Sequence, residues 1–121
     1  NCAYNAVSGL TRQPYGRMAA LPAIVELQQA VVREVVAVAC AAGQPMDLNA
    51  SLAAMAAIAG AMPGQRSSTA QDMARGRLTE IDHLNGHVVR LGARLGVPTP
   101  VNQALYALVT LVDTHRSPDG A

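Results

Sequence analysis

Apolar positions recur every three or four residues along most of this chain, the period of helices that turn one face inward. Ile24, Leu27, Val31, Val35 and Val38 form one such stripe, with Glu26, Gln29 and Arg33 on the opposite face. Pro22 is placed to be its first helical residue, and Gly43 and Pro45 end it. A second stripe, Leu52, Met55, Ala59 and Met62, lies between Asn49 and Met62. A third runs through Ile81, Leu84, Val88, Leu91 and Leu95 to stops at Gly96 and Pro98. Thr99 then caps a last helix with Pro100 at its first position, predicted to run to about His115 and to bury Leu105, Leu108 and Val112. The polar tail from Ser117 to Ala121 is expected to fray.

The opening residues, NCAYNAVSGL, also read as helix, with no turn signal ahead of Asn1, and a loop containing Pro14 and Gly16 follows from Thr11. Between Ser67 and Asp82 two capping-box patterns, Ser68 with Gln71 and Thr79 with Asp82, predict two further helix starts separated by a break near Gly76. No strand-like alternation competes with these elements. The predicted fold class is therefore all-α, about six helices forming one domain over residues 1–121.

Composition narrows the packing. Half of the 121 residues are hydrophobic, yet there is no Phe, no Trp and only Tyr4, Tyr15 and Tyr106, so small side chains must let helices approach closely. A net charge of +1 with so few rings offers neither the basic surface nor the stacking platform of a nucleic-acid binder. All nine basic residues are arginine, so chemistry that needs a lysine amine lies beyond this chain alone. Cys2 and Cys40 are too few for a disulfide framework, and no leader pattern precedes them, which predicts a cytoplasmic setting. The uncharged run from Leu48 to Gln65 approaches the length of a membrane span but contains Asn49, Ser51, Gly60, Pro63 and Gly64, and is read as a buried helix of a domain with no membrane partner.

Two polar groupings stand out. Asn1, Asn5 and Ser8 share a helix face and offer amides and a hydroxyl to a small polyoxygenated ligand, or simply face water. Glu80, His83 and His87 have the Glu-x-x-His spacing of carboxylate-bridged dimetal helices, but Glu26 and Glu34 bring no matching His, so no metal is predicted. Ser67 and Ser68 have no glycine elbow around them, which disfavours a hydrolase.

Taken together, N-C-A-Y-N-A at the start, E-V-V-A-V-A-C-A-A-G from Glu34, S-S-T-A-Q-D-M-A-R-G-R-L-T-E-I-D-H-L-N-G from Ser67, and G-V-P-T-P-V-N from Gly96 resemble the C-terminal domain of the ketopantoate reductase (2-dehydropantoate 2-reductase) family. The resemblance covers nearly the whole chain. It implies a helical substrate-binding domain, like the related 6-phosphogluconate dehydrogenase-like C-terminal domains, that closes on an N-terminal Rossmann domain carrying NADPH. That domain's G-x-G-x-x-G motif is absent from residues 1–121, so this chain by itself is expected to bind no cofactor and to be inactive.

By the same resemblance, Asn1 and Asn5 contact the hydroxyl and keto oxygens of a 2-oxo acid, and Ser68 hydrogen-bonds it. Glu80 sits by the nicotinamide ribose and organises the site, while Glu34 falls on an acidic position near the cleft. The family's general acid is a lysine four residues before Asn1. Where many members carry an asparagine before the glycine of the loop after the first helix, this chain has Tyr15 before Gly16. That departure leaves room for another branched 2-oxo acid. The alternative from a different class is a non-catalytic helical interaction module, and an exposed alanine-rich face allows a homodimer.

Overall fold

The computed structural model describes residues 1–116, and the predicted fraying of the tail from Ser117 lies outside them. Seven α-helices follow in order: α1 (Cys2–Thr11), α2 (Tyr15–Ala20), α3 (Pro22–Ala41), α4 (Leu48–Ala61), α5 (Ser68–Ala74), α6 (Asn85–Leu95) and α7 (Pro100–Arg116), with a short 3-10 turn at Ile81–His83 before α6. No strand occurs among the described residues, and none of their helices is long and apolar enough to cross a membrane.

Helix α1 is the centre. It packs against α3, α5 and α7, and every residue from Ala3 to Gly9 is buried. A helix can be enclosed on so many sides only if its neighbours come close, and its small residues permit that. A Cβ added at Gly9 would stand 2.7 Å from Thr69 Cγ2 and 3.3 Å from Met73 Sδ, so α5 rests directly on the α1 backbone. The hydrophobic core grows outward from this helix through Tyr4 and Val7 to Val31, Met55, Met73, Ile81 and Val109. The rings of Tyr4 and Tyr15 pack at a 44° tilt with centroids 4.3 Å apart, and the Tyr4 hydroxyl donates to the Met55 carbonyl of α4. Gln28 of α3, wholly enclosed, donates from Nε2 to the Ala3 carbonyl at 3.2 Å.

Several predicted details are corrected. The loop containing Tyr15 is in fact a helix start: Tyr15 opens α2, and the N–H groups of Tyr15 and Gly16 donate to Gln65 O and Pro63 O, each at 2.8 Å. Ser67 rather than Ser68 caps α5. Its extended backbone (φ −68, ψ 163) aims Oγ at the Ala70 N–H at 3.0 Å, so Ser68 becomes the first helical residue. Thr79 starts no α-helix either, because its N–H and hydroxyl both bind the Asp113 carboxylate of α7. A break at Leu84 (φ −108, ψ −103) then delays α6 to Asn85. On α7 the buried face is Asn102, Leu105 and Val109, which leaves Leu108 half exposed on the outside and Val112 only partly covered. Met62, at the end of the α4 stripe, is likewise exposed. The break near Gly76 is present, with φ at +70°.

The tight α1–α5 contact predicts opposite outcomes for two glycines. Gly9→Ala should lower stability by about 1–3 kcal/mol through overpacking, whereas Gly60→Ala, in α4 with nothing within 4 Å of the added Cβ, should raise it by about 0.5–1 kcal/mol. Urea unfolding followed by circular dichroism measures both. Burial pushes the phenols of Tyr4 and Tyr15 above their ordinary pKa, so the folded state holds these protons more tightly than the unfolded chain does. Their contribution is complete below the unfolded pKa of about 10 and is lost as pH rises through the folded values. The melting temperature should therefore fall on the alkaline side of pH 10, and Tyr4→Phe should make that fall shallower in a pH series of thermal melts.

Candidate active site

Asn1 caps α1 through its backbone, its carbonyl accepting from the N–H of Tyr4 at 3.2 Å and of Asn5 at 2.8 Å, while its exposed amide caps nothing. One turn later the Asn5 side chain, although only 6% of the residue is exposed, has no hydrogen bond to the described residues. Its backbone carbonyl is engaged, accepting from Ser67 Oγ at 3.1 Å. Ser8, which the helical spacing grouped with the two asparagines, is fully committed: its hydroxyl donates to Gln13 O at 3.0 Å and accepts from the Ser67 N–H at 3.2 Å. Ser67 is thus tied to α1 through both its backbone N–H and its side-chain hydroxyl. Ser68 follows it immediately, on the surface, with its hydroxyl unused as a cap.

Glu80 is positioned by another route, on a segment that packs against α6 and α7. The residue before it is held by Asp113, the residue after it, Ile81, is buried in the core, and Tyr106 Oη donates to Asp82 Oδ1 at 2.7 Å. Asn85, at the start of α6, donates from Nδ2 to the Cys2 carbonyl at 3.4 Å. Glu80 itself is exposed and caps no backbone. Asn5 thus lies in α1 itself, the segments bearing Ser68 and Glu80 are anchored to α1 or α7 through Ser67 and Thr79, and the side chains of all three are left without hydrogen-bond partners among the described residues.

Glu34 has a different situation. Its carboxylate accepts from the Val101 N–H at 3.0 Å, the Asn102 N–H at 2.9 Å and Asn102 Nδ2 at 2.8 Å. Those backbone donors are the free N–H groups of the first turn of α7, so this carboxylate serves as a remote helix cap. Tyr15 points away from any open surface: 8% exposed and stacked on Tyr4, it is a core residue rather than a loop side chain facing a ligand. Glu80, His83 and His87 do not share a helix face, because the 3-10 turn and the break at Leu84 interrupt the register. No three metal-binding side chains converge among the described residues.

Beside the start of α1 a cavity of about 320 Å³ is lined by Asn1, Cys2, Tyr4, Val35, Met55 and Ile58 among others. It is mostly apolar, and burial pushes the Cys2 thiol up, away from a reactive thiolate. The free groups around α1 can thus bind and orient an oxygen-rich ligand, but none of them is a built nucleophile. Sequence reasoning missed Asn85 and Asn102, both wholly buried. Their signal was present in the L-N-G and P-V-N motifs, without a spacing that assigns a task.

A family model described as "Ketopantoate reductase PanE/ApbA C terminal" matches residues 1–113. A 2-dehydropantoate 2-reductase of Pyrobaculum aerophilum is 41% identical over 109 residues, 90% of this chain and 39% of the relative. The chain thus spans well under half the length of that relative. Among solved structures, a PanE/ApbA family ketopantoate reductase from Ralstonia eutropha JMP134 aligns with TM-score 0.88 at 47% identity, over 96% of this chain and 39% of that one. A D-mandelate dehydrogenase with NADH and anilino(oxo)acetate aligns with TM-score 0.90 at 24% identity, over 96% of this chain and 49% of that one, a likeness of fold alone.

The placement of Glu34 predicts a stability phenotype. Glu34→Ala should strip the acceptor from the first turn of α7 and from Asn102, lowering unfolding free energy by about 1–3 kcal/mol, with Glu34→Gln losing less. Chemical denaturation of the two variants beside the parent chain measures the difference.

Proposed function

The chain belongs to the ketopantoate reductase C-terminal family, and on that footing we propose that it forms the substrate-binding half of an NADPH-dependent 2-dehydropantoate 2-reductase. The observation that carries this reading is the division of its polar groups. Asn5 and Ser68 lie on segments pinned together through Ser67, Glu80 lies on a segment pinned to α1 through Asn85, and the side chains in question have no hydrogen-bond partner among the described residues.

In the complete protein a Rossmann domain upstream of Asn1 holds the dinucleotide, and the reaction takes place where the two domains meet. NADPH supplies hydride to the keto carbon of the substrate. Of the residues here, the exposed carboxylate of Glu80 is suited to accept hydrogen bonds from ribose hydroxyls, and nothing in the chain resembles a phosphate cradle. The amides of Asn1 and Asn5 donate to the keto and hydroxyl oxygens, which fixes the carbonyl face and favours charge on oxygen as the carbon is reduced. Ser68 adds a hydroxyl from the facing helix. The keto oxygen takes its proton from the lysine four residues before Asn1, a position on the same helical face as both asparagines.

A second reading, reduction of a different branched 2-oxo acid, is favoured by one observation. Tyr15 occupies the position of a family asparagine and is packed into the core, so one amide is missing from the substrate's surroundings.

The test uses the protein encoded by the complete reading frame, with NADPH oxidation followed in the presence of 2-dehydropantoate and of alternative branched 2-oxo acids. Ser68→Ala and Glu80→Ala should each lower kcat/KM by about tenfold or more, a loss of about 1.4 kcal/mol of transition-state stabilisation. Because both residues are exposed and cap nothing, melting temperatures should stay near the parent value; the helix-capping loss falls instead on Ser67→Ala, at about 1 kcal/mol. Unchanged kinetics in both site variants would sink the assignment.

A further inference from the structure

A buried chain of amides runs from α3 to the first turn of α1, and its direction is dictated by one charge. Glu34, as a carboxylate, only accepts, so Asn102 must turn Nδ2 toward it, at 2.8 Å. That leaves Asn102 Oδ1 facing Asn85, which must in turn present its own Nδ2, at 2.9 Å. The same Nδ2 group also donates to the Cys2 carbonyl of α1 at 3.4 Å. Asn85 and Asn102 are both wholly buried.

The arrangement leaves a cost that packing does not explain. Asn85 Oδ1 is buried with no hydrogen-bond partner among the described residues. Rotating the amide would not relieve it, since oxygen would then face both Asn102 Oδ1 and the Cys2 carbonyl. A leucine of similar size would fill the space without orphaning any side-chain atom of its own. The neighbouring residue shows how closely α6 is seated on α7: a Cβ at Gly86 would stand 2.8 Å from Tyr106 Cε1, and Tyr106 in turn holds Asp82. What Asn85 does accomplish is a tie between two particular places. Cys2 lies between Asn1 and Asn5 on α1, and Glu80 lies just ahead of Asn85 across the 3-10 turn.

We propose that Asn85 is a positioning residue for the reaction, its amide setting the separation between the turn that carries Asn1 and Asn5 and the segment that carries Glu80. Asn102 and Glu34 determine which way that amide donates. The inference rests on the reading of Asn1, Asn5 and Glu80 as groups around a 2-oxo acid and its nicotinamide partner. Buried polar networks in some proteins specify geometry more than they add stability.

In the complete reductase, Asn85→Leu should raise KM for the 2-oxo acid and lower kcat/KM by about tenfold or more when assayed well below the melting temperature, and Asn85→Ser, which keeps one O–H donor, should recover part of that loss. Asn85→Leu with kcat and KM within about twofold of the parent would overturn the proposal, whatever happens to its melting temperature. If Asn85→Leu does not fold, Asn85→Ser decides alone: a clear rise in KM supports the role, and parent-like constants refute it. Should the parent enzyme itself not reduce any branched 2-oxo acid, the functional reading fails while the tie is still measurable in chain 1–121. There, hydrogen exchange at the Asn5 and Ala6 amides should quicken about tenfold in Asn85→Leu or Asn85→Ser with the α4 amides unchanged, and equal rates would show that Asn85 does not hold that turn.

Discussion

The structure depends on the enclosure of one uncharged helix. Helix α1 is buried from Ala3 to Gly9 and meets α3, α5 and α7. Such a helix satisfies its own backbone, but every polar side chain it carries, and every helix end brought against it, must find a partner inside the protein or remain open for a ligand. Close approach by α5 is possible because Gly9 has no side chain at the contact with Thr69. That approach brings the serine cap of α5 within reach of the Asn5 carbonyl and the Ser8 hydroxyl.

The enclosure sorts the polar residues into two sets. Ser8, Ser67, Gln28, Asn85, Asn102, Glu34 and Thr79 are engaged in holding helix ends and backbone carbonyls in place. Asn1, Ser68 and Glu80 are exposed, and Asn5 is nearly covered, its side chain without a partner among the described residues. The engaged set fixes where the free set stands, which is how a rigid scaffold presents a site. The same sorting accounts for the division of labour proposed between domains. A chain with nine arginines, no lysine and no phosphate-cradling loop suits the proposed role of holding a 2-oxo acid, with the proton donor and the dinucleotide assigned in that proposal to other parts of the enzyme.

Much of this was legible in the residues themselves. The three- and four-residue spacing of Val31, Val35 and Val38, the stops at Gly43 and Gly96, and Pro100 at a helix start all marked elements that are present. These are local signals: periodicity and backbone preference act within a few residues, so they survive without knowledge of the fold. The motif block from Ser67 to Gly86 likewise announced the family, since it preserves residue types at fixed spacing.

The decisions that rested on contacts distant in sequence were not legible. Ser67 and Ser68 are equivalent as capping residues until α1 comes to lie against one of them. Thr79 looks like a helix start until Asp113, far along the chain, takes both its donors. Tyr15 reads as a loop residue until Tyr4 provides a ring to pack on. Glu34 reads as one more acid until the first turn of α7 arrives to be capped. The sequence by itself determined the longer helices, the all-α class and the family. Tertiary structure alone decided which polar groups are consumed and which stay free, because a hydrogen bond is satisfied or left open by whichever group the fold brings within about 3 Å of it.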